Sequence, residues 1–205
     1  MAKGAIDIDL FCEDRGHEVV VGALIRRLAI ETGAVIDLHI RSACGGVGRA
    51  LAELKSWQRL RQRGDRFAPA LLVVVLDANS HGPATRQQMI EQVLDRAFFR
   101  EVVIGCPDPY IERWLLADAA AFKSIVGVAP RPEPDNADKA RYKNHLTDTI
   151  LEAGQLVLTT AVEDFGPDLV AAMDLYRAGK LRPDLGRFVT HLKGSLVRLA
   201  GQTPG

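Results

Sequence analysis

The chain is predicted to be an α/β protein of three layers. An open, mostly parallel sheet carries helices on both faces, and a helical C-terminal part follows. Three observations carry this. Strand-length apolar runs alternate with helix-length segments as far as residue 128. The run 70-ALLVVVLDAN-79 is too apolar for a strand with one wet face and suits one covered on both sides. Beyond 129-APRPEPDNAD-138, where three prolines fall within six residues, no strand alternation is clear and the chain reads helical.

The elements follow in order. Residues 6-IDIDLFCED-14 alternate and then turn polar, as a first strand does, and a long helix over 16–33 ends at Gly33. Residues 35-VIDLHI-40 form a second strand, 43-ACGGVG-48 a tight turn, and 49–63 a helix. After the central strand, Pro83 sits at the first turn of a helix over 84–98. Its apolar stripe is Met89, Ile90, Val93, Leu94, Ala97 and Phe98. Residues 101-EVVIG-105 are a short strand, followed by a helix over 106–122 with Asp108 as N-cap and Pro109 opening it. Helices are expected over 137–153, 167–178 and 184–200, with Gly154 and Gly179 as stops. The organisation expected is a core over 1–128, a linker loop over 129–138 and a helical part over 139–200 packed on the core. Trp57 and Trp114 fall in helical patterns and read as core or interface residues.

Composition sets bounds. With 205 residues, 47% of them hydrophobic, the chain can bury a sizeable core without staples. Lys+Arg and Asp+Glu balance at 26 each, so net charge neither recruits nor repels nucleic acid. No stretch reaches the roughly 18–20 apolar residues of a membrane span, and the opening MAKGAIDIDLF has no signal-peptide pattern. Cys12, Cys44 and Cys106 are odd in number and widely spaced, which fits a reducing, cytoplasmic setting better than a disulfide scaffold.

The chemistry concentrates at strand ends. The first strand leads into Glu13 and Asp14, with Glu18 one turn on; the central strand into Asp77; the last into Asp108 and Glu112. If the strands are parallel, all of these lie along one carboxyl edge, where open α/β sheets bind ligands. Oxygen ligands of this kind suit Mg²⁺ or Mn²⁺, and one or two such ions promote phosphodiester cleavage. Asn79 adds a carbonyl that can join the ligands or hold a water. The competing reading is that these acids cap helices and make turns.

The motifs 11-FCEDRGHEVV-20, 73-VVVLDAN-79, 107-PDPYIERWLLAD-118 and 183-PDLGRFVTHL-192 come in an order and spacing that resembles the TOPRIM domain of topoisomerases, primases and OLD-type nucleases. The likeness is to its small stand-alone bacterial branch, which includes RloB-like proteins, and it spans nearly the whole chain. The resemblance implies Glu13 as general acid/base or metal ligand, Asp77 as metal ligand, and Glu112 as the branch's own acidic position. Two positions depart from the pattern: Asp14 replaces a glycine, and Asn79 replaces the second aspartate of Asp-x-Asp. An amide binds Mg²⁺ more weakly and does not offset its charge, so Asp14, Glu18 or Glu112 is left to compensate.

Basic residues flank this centre. Segment 41–66 holds seven Arg/Lys against two acids, among them Arg49, Lys55, Arg59, Arg61 and Arg63. Arg177, Lys180, Arg182, Arg187, Lys193 and Arg198 form a second group. Each reads either as a solvated helix face or as a backbone-phosphate surface. His81 is either an exposed loop histidine or a phosphate donor, and His17 reads the same way. The glycine turn lacks the Lys-Ser/Thr of a P-loop, no close Cys/His pair marks structural zinc, and there is no nucleophile elbow.

Two functions are therefore expected. The first is an Mg²⁺- or Mn²⁺-dependent nuclease or related phosphoryl-transfer enzyme, with Glu13, Asp77 and Glu112 catalytic. Its metal would be held by Glu13, Asp77, Asn79 and Glu18, and phosphate met by His81, Arg49 and Arg59. The resemblance adds anti-phage defence, and a partner ATPase or a homodimer, as its setting. The second is a non-catalytic nucleic-acid- or protein-binding subunit whose metal site has degenerated, a reading that Asn79 favours.

Overall fold

The computed structural model describes residues 4–43, 45–64, 67–130, 147–149 and 165–202. Cys44, Gly154, most of the expected linker and most of the helix expected over 137–153 lie outside the described residues. In chain order the elements are β1 (Ile6–Cys12), α1 (Arg15–Thr32), β2 (Ile36–Ser42), α2 (Val47–Arg63), β3 (Leu71–Val75), a 3₁₀ turn (Asn79–His81), α3 (Pro83–Val93) and β4 (Val102–Gly105). Then come α4 (Glu112–Leu115), α5 (Ala119–Val126), α6 (Gly166–Ala172), α7 (Leu175–Leu181) and α8 (Pro183–Ala200).

The four strands form one parallel sheet in the order β2-β1-β3-β4. Alternation along each strand decides which layer a side chain joins. Ile6, Ile8, Leu10 and Cys12 of β1, with Leu71, Val73 and Val75 of β3, pack under α1 and α8. Phe11, Leu72, Val74 and Leu76 pack against α2 and α3 on the other side. All five residues of β3 are fully buried, each contributing roughly 1.5–3 kcal/mol over exposure. That is why its sequence shows no polar alternation. The α6–α8 part closes the first layer: Phe188 of α8 lies 5.2 Å from the Trp114 ring, and Asp184 accepts the Trp114 indole N–H at 2.5 Å. Trp114 is thus a core residue, and Trp57 is a partly buried one stacked on Phe99 at 5.8 Å.

Several expected boundaries are corrected. The helix expected over 84–98 stops at Val93, because the buried Gln58 side chain donates to the Val93 carbonyl (3.3 Å) and accepts the Asp95 N–H (2.9 Å). The helix expected over 106–122 is two short ones. Asp108 caps neither: residues 107–111 are tied to the loop after β3, through Ala78 N–H to Pro107 O (2.8 Å) and Asn79 N–H to Pro109 O (3.0 Å). Helix α5 is capped instead by Asp118, which accepts the N–H groups of Ala120 and Ala121. The helix expected over 167–178 breaks at Met173, and Asp174 caps a new one. Gly179 is not a stop but lies inside α7. A Cβ there would sit 2.9 Å from Gly186 Cα, so the residue is small because two helices cross at that point.

One polar residue of the core decides the fate of two arginines. Asp9 of β1 is fully buried on the α2 side. It accepts from Arg61 at 2.6 Å and Arg41 at 3.3 Å, and both guanidiniums lie over the Trp57 ring, at 5.2 and 5.6 Å. Arg61 therefore serves the interior, while Arg41, itself exposed, pairs with the same buried acid from the surface.

A candidate metal centre at the switch point of the sheet

In the order β2-β1-β3-β4, the chain leaves β1 toward one edge and returns on the other side at β3. The crevice between the carboxyl ends of β1 and β3 is a topological switch point, where open α/β sheets place ligands. Glu13 follows β1 directly, and Asp77 lies two residues beyond β3. The register pairs Cys12 with Val75, so the two carboxylates leave the sheet at the same level.

A third side chain joins them. Glu13, His17 and Asp77 each offer one ligand atom, and these atoms all lie within 4.8 Å of one another. All three residues are buried, Glu13 the most exposed at 8%. His17 Nε2 is 3.0 Å from Asp77 Oδ1, and His17 Nδ1 is 2.8 Å from Asp14 Oδ1. Asp14 is also the N-cap of α1, accepting the His17 backbone N–H at 3.3 Å. One carboxylate thus starts the helix and sets the tilt of an imidazole on its first turn.

His17 bridges Asp14 and Asp77 through its two ring nitrogens. Burial alone would lower its pKa. The charge of Asp77, the hydrogen bonds that Asp14 and Asp77 accept from the ring, and the charge of Asp14 outweigh burial and push the pKa up to about 9. Cys106, beside the same edge, is the opposite case: burial pushes its thiol up to about 12, so it is no thiolate nucleophile at neutral pH.

Asp77 is held on every side. Its Oδ1 accepts the Ile111 N–H at 2.9 Å, and its own N–H donates to Glu13 Oε2 at 3.4 Å. Beneath it lies Arg86 of α3, only 3% exposed. Arg86 Nε donates to the Asp77 carbonyl at 2.7 Å and Nη2 to the Ala78 carbonyl at 3.5 Å. A buried guanidinium spent on main-chain carbonyls fixes the loop that presents the Asp77 carboxylate.

The other expected site residues are placed as follows. Glu18 bonds Ser42 Oγ and Arg15, the latter at 3.0 Å, and is not one of the three clustered residues. Glu112 is buried at the start of α4, next to Ile111, and is also outside that group. Asn79 has φ 52°, and its carboxamide donates to the Asp77 carbonyl at 3.4 Å. His81 is exposed in the turn after Asn79. Arg49, near the start of α2, is on the site's edge and pairs with Glu53 at 2.7 Å. Arg59 is exposed ten residues further along α2, about 15 Å along the axis toward the opposite edge.

The reading of His17 as an exposed histidine is corrected: it is fully buried on the first turn of α1. A signal for this is present in the chain. His17, Val21, Leu24 and Leu28 follow helical spacing along the buried face of α1, and Asp14 stands three residues before His17, where an N-cap reaches.

The donor set fits a divalent ion. Two carboxylates and an imidazole are a common set for first-row divalent ions. The three ligand atoms lie within 4.8 Å of one another, and the Nε2–Oδ1 hydrogen bond of 3.0 Å is the contact an ion would replace. Comparison with protein-family models, curated proteins and solved structures finds no match for this chain.

Proposed function

We propose that the chain is a divalent-metal-dependent phosphodiester hydrolase acting on nucleic acid, with Glu13, Asp77 and His17 holding the ion. The observation that carries this is the convergence of those three side chains at the switch point between β1 and β3. The resemblance to stand-alone TOPRIM proteins supports it, and brings with it a role in defence against foreign nucleic acid.

A bound divalent ion offsets phosphate charge and acidifies water in its shell. The chain's own residues do the rest. Asp77, locked by Ile111, His17 and Arg86, is the rigid ligand. Glu13, the most exposed of the three, is placed to take a proton from the attacking water on its carboxylate. Arg187, at the same edge through the start of α8, faces a cleft of about 270 Å³ with Gln87, Cys106 and Asp184. With His81 it is available to the sugar–phosphate backbone, while Arg49, Arg177 and Arg198 are paired with Glu53, Asp118 and Glu101. In this reading the protein is cytoplasmic. Cys12 and Cys106 are unbridged thiols, and among the described residues no helix is long and apolar enough to cross a membrane. It works on DNA or RNA as a homodimer or beside an ATPase.

The second reading is a binding subunit with no turnover. It is favoured by Asn79, whose amide is turned onto a main-chain carbonyl. The two separate by calorimetric titration of divalent ions into wild type, Glu13→Gln and Asp77→Ala, followed by DNA and RNA cleavage assays. The enzyme reading expects ion binding by wild type, weakened in both variants, and cleavage abolished by Glu13→Gln while its circular dichroism is unchanged. Salt-dependent nucleic-acid binding without ion binding or cleavage selects the second reading.

A further inference from the structure

We propose that the ion at this centre is a first-row ion of the Fe²⁺, Co²⁺ or Zn²⁺ class, that His17 ligates it through Nε2 with Asp14 as the carboxylate that aims the ring, and that Mg²⁺ is a poor occupant. This rests on the metal-centre reading and narrows it. Mg²⁺ is a hard ion that takes oxygen and keeps its waters. An imidazole donor favours later first-row ions, whose affinity for nitrogen rises along the Irving–Williams order.

Three features of the site point the same way. His17 is fully buried, with Nε2 on the Asp77 side and 3.0 Å from Oδ1. Its other nitrogen is 2.8 Å from Asp14 Oδ1. A carboxylate on the far nitrogen of a ligating histidine fixes the ring's tautomer and orientation and raises its basicity. Asp14 is itself held as the cap of α1 by the His17 backbone N–H, which fixes the carboxylate where the ring nitrogen meets it. Finally, the residue two beyond Asp77 supplies no third carboxylate: it is Asn79, with its amide on the Asp77 carbonyl. The third donor within reach is nitrogen.

The test needs no turnover. The metal-stripped full chain is titrated separately with Mg²⁺, Mn²⁺, Co²⁺ and Zn²⁺ by calorimetry, and Co²⁺ is also followed by its visible absorption. Co²⁺ and Zn²⁺ are expected to bind at least about 100-fold more tightly than Mg²⁺, with Mn²⁺ between. Asp14→Asn should weaken Co²⁺ about 10- to 100-fold. His17→Gln should weaken it at least as much and change Mg²⁺ far less. A Zn²⁺ titration of ¹⁵N-histidine-labelled wild type covers the case in which a variant does not fold, and should shift one imidazole Nε2 resonance. Equal affinity for Mg²⁺ and Co²⁺, or Zn²⁺ binding that moves no histidine resonance, overturns the inference and leaves an oxygen-only metal centre standing. Failure of all four ions to bind takes down the metal-centre reading itself.

Discussion

Replacing His17 by glutamine should remove a pH-dependent part of the stability of the metal-free protein. In the folded chain the imidazole is buried between Asp14 and Asp77 and titrates at about 9, against 6.5 for a free histidine. At about 1.4 kcal/mol per tenfold change in proton affinity, that difference is worth about 3 kcal/mol. The sign follows from which state holds the proton. The folded pKa is the higher one, so the stabilisation is complete below pH 6.5 and is lost as pH rises through 9. By linkage about 2 kcal/mol remains at pH 7.5 and less than about 0.5 at pH 9. The assay is urea unfolding of wild type and His17→Gln in chelator, from pH 6 to 10. The wild-type advantage should shrink across that range, and the difference between the two proteins removes the contributions of other titrating groups. Parallel stability curves for the two proteins would show that His17 is not held as a cation between the carboxylates.

Three further outcomes are expected. Arg86→Met takes the buried guanidinium from the Asp77 and Ala78 carbonyls and leaves them the longer bonds from the Asn79 amide (3.4 Å) and the His81 N–H (3.3 Å), so urea unfolding should show a loss of roughly 1–3 kcal/mol in all, together with weaker ion binding. Asp9→Asn leaves Arg61 and Arg41 short of a buried counter-charge. The loss should be on the order of 3 kcal/mol, and chemical denaturation at low and at 0.5 M salt should give nearly the same value. Gly105→Ala brings a Cβ within 2.8 Å of Phe188 Cδ2 and 3.1 Å of Val75 Cγ2. Thermal melting should report a loss of about 1–3 kcal/mol from overpacking, partly restored by Phe188→Leu.

The layered fold was open to reading in the chain because its signals are local. A fully apolar strand such as 71–75, a glycine-stopped α1 and the apolar positions of β1 each state their burial within a few residues. Parallel strands then put Glu13 and Asp77 on one edge, since consecutive strands of such a sheet point the same way. Elements without a strong period were misread. Residues 107–111 look like the start of a helix, but their backbone groups bond the loop after β3, a partner far away in sequence. The end of α3 is likewise set by Gln58, from another helix.

The sequence by itself determined that acids end two buried strands and that a long helix stopped by Gly33 follows the first. Only the tertiary structure decided which side chains share the site. It placed β1 beside β3 and turned His17 inward between Asp14 and Asp77, while leaving Glu18 on Ser42 and Arg15. The physical reason is one of range. A strand or a cap is settled by neighbours within a turn, whereas a ligand set is settled by separations of a few ångströms between residues as far apart in the chain as 17 and 77. Those separations follow from strand order and helix phase together.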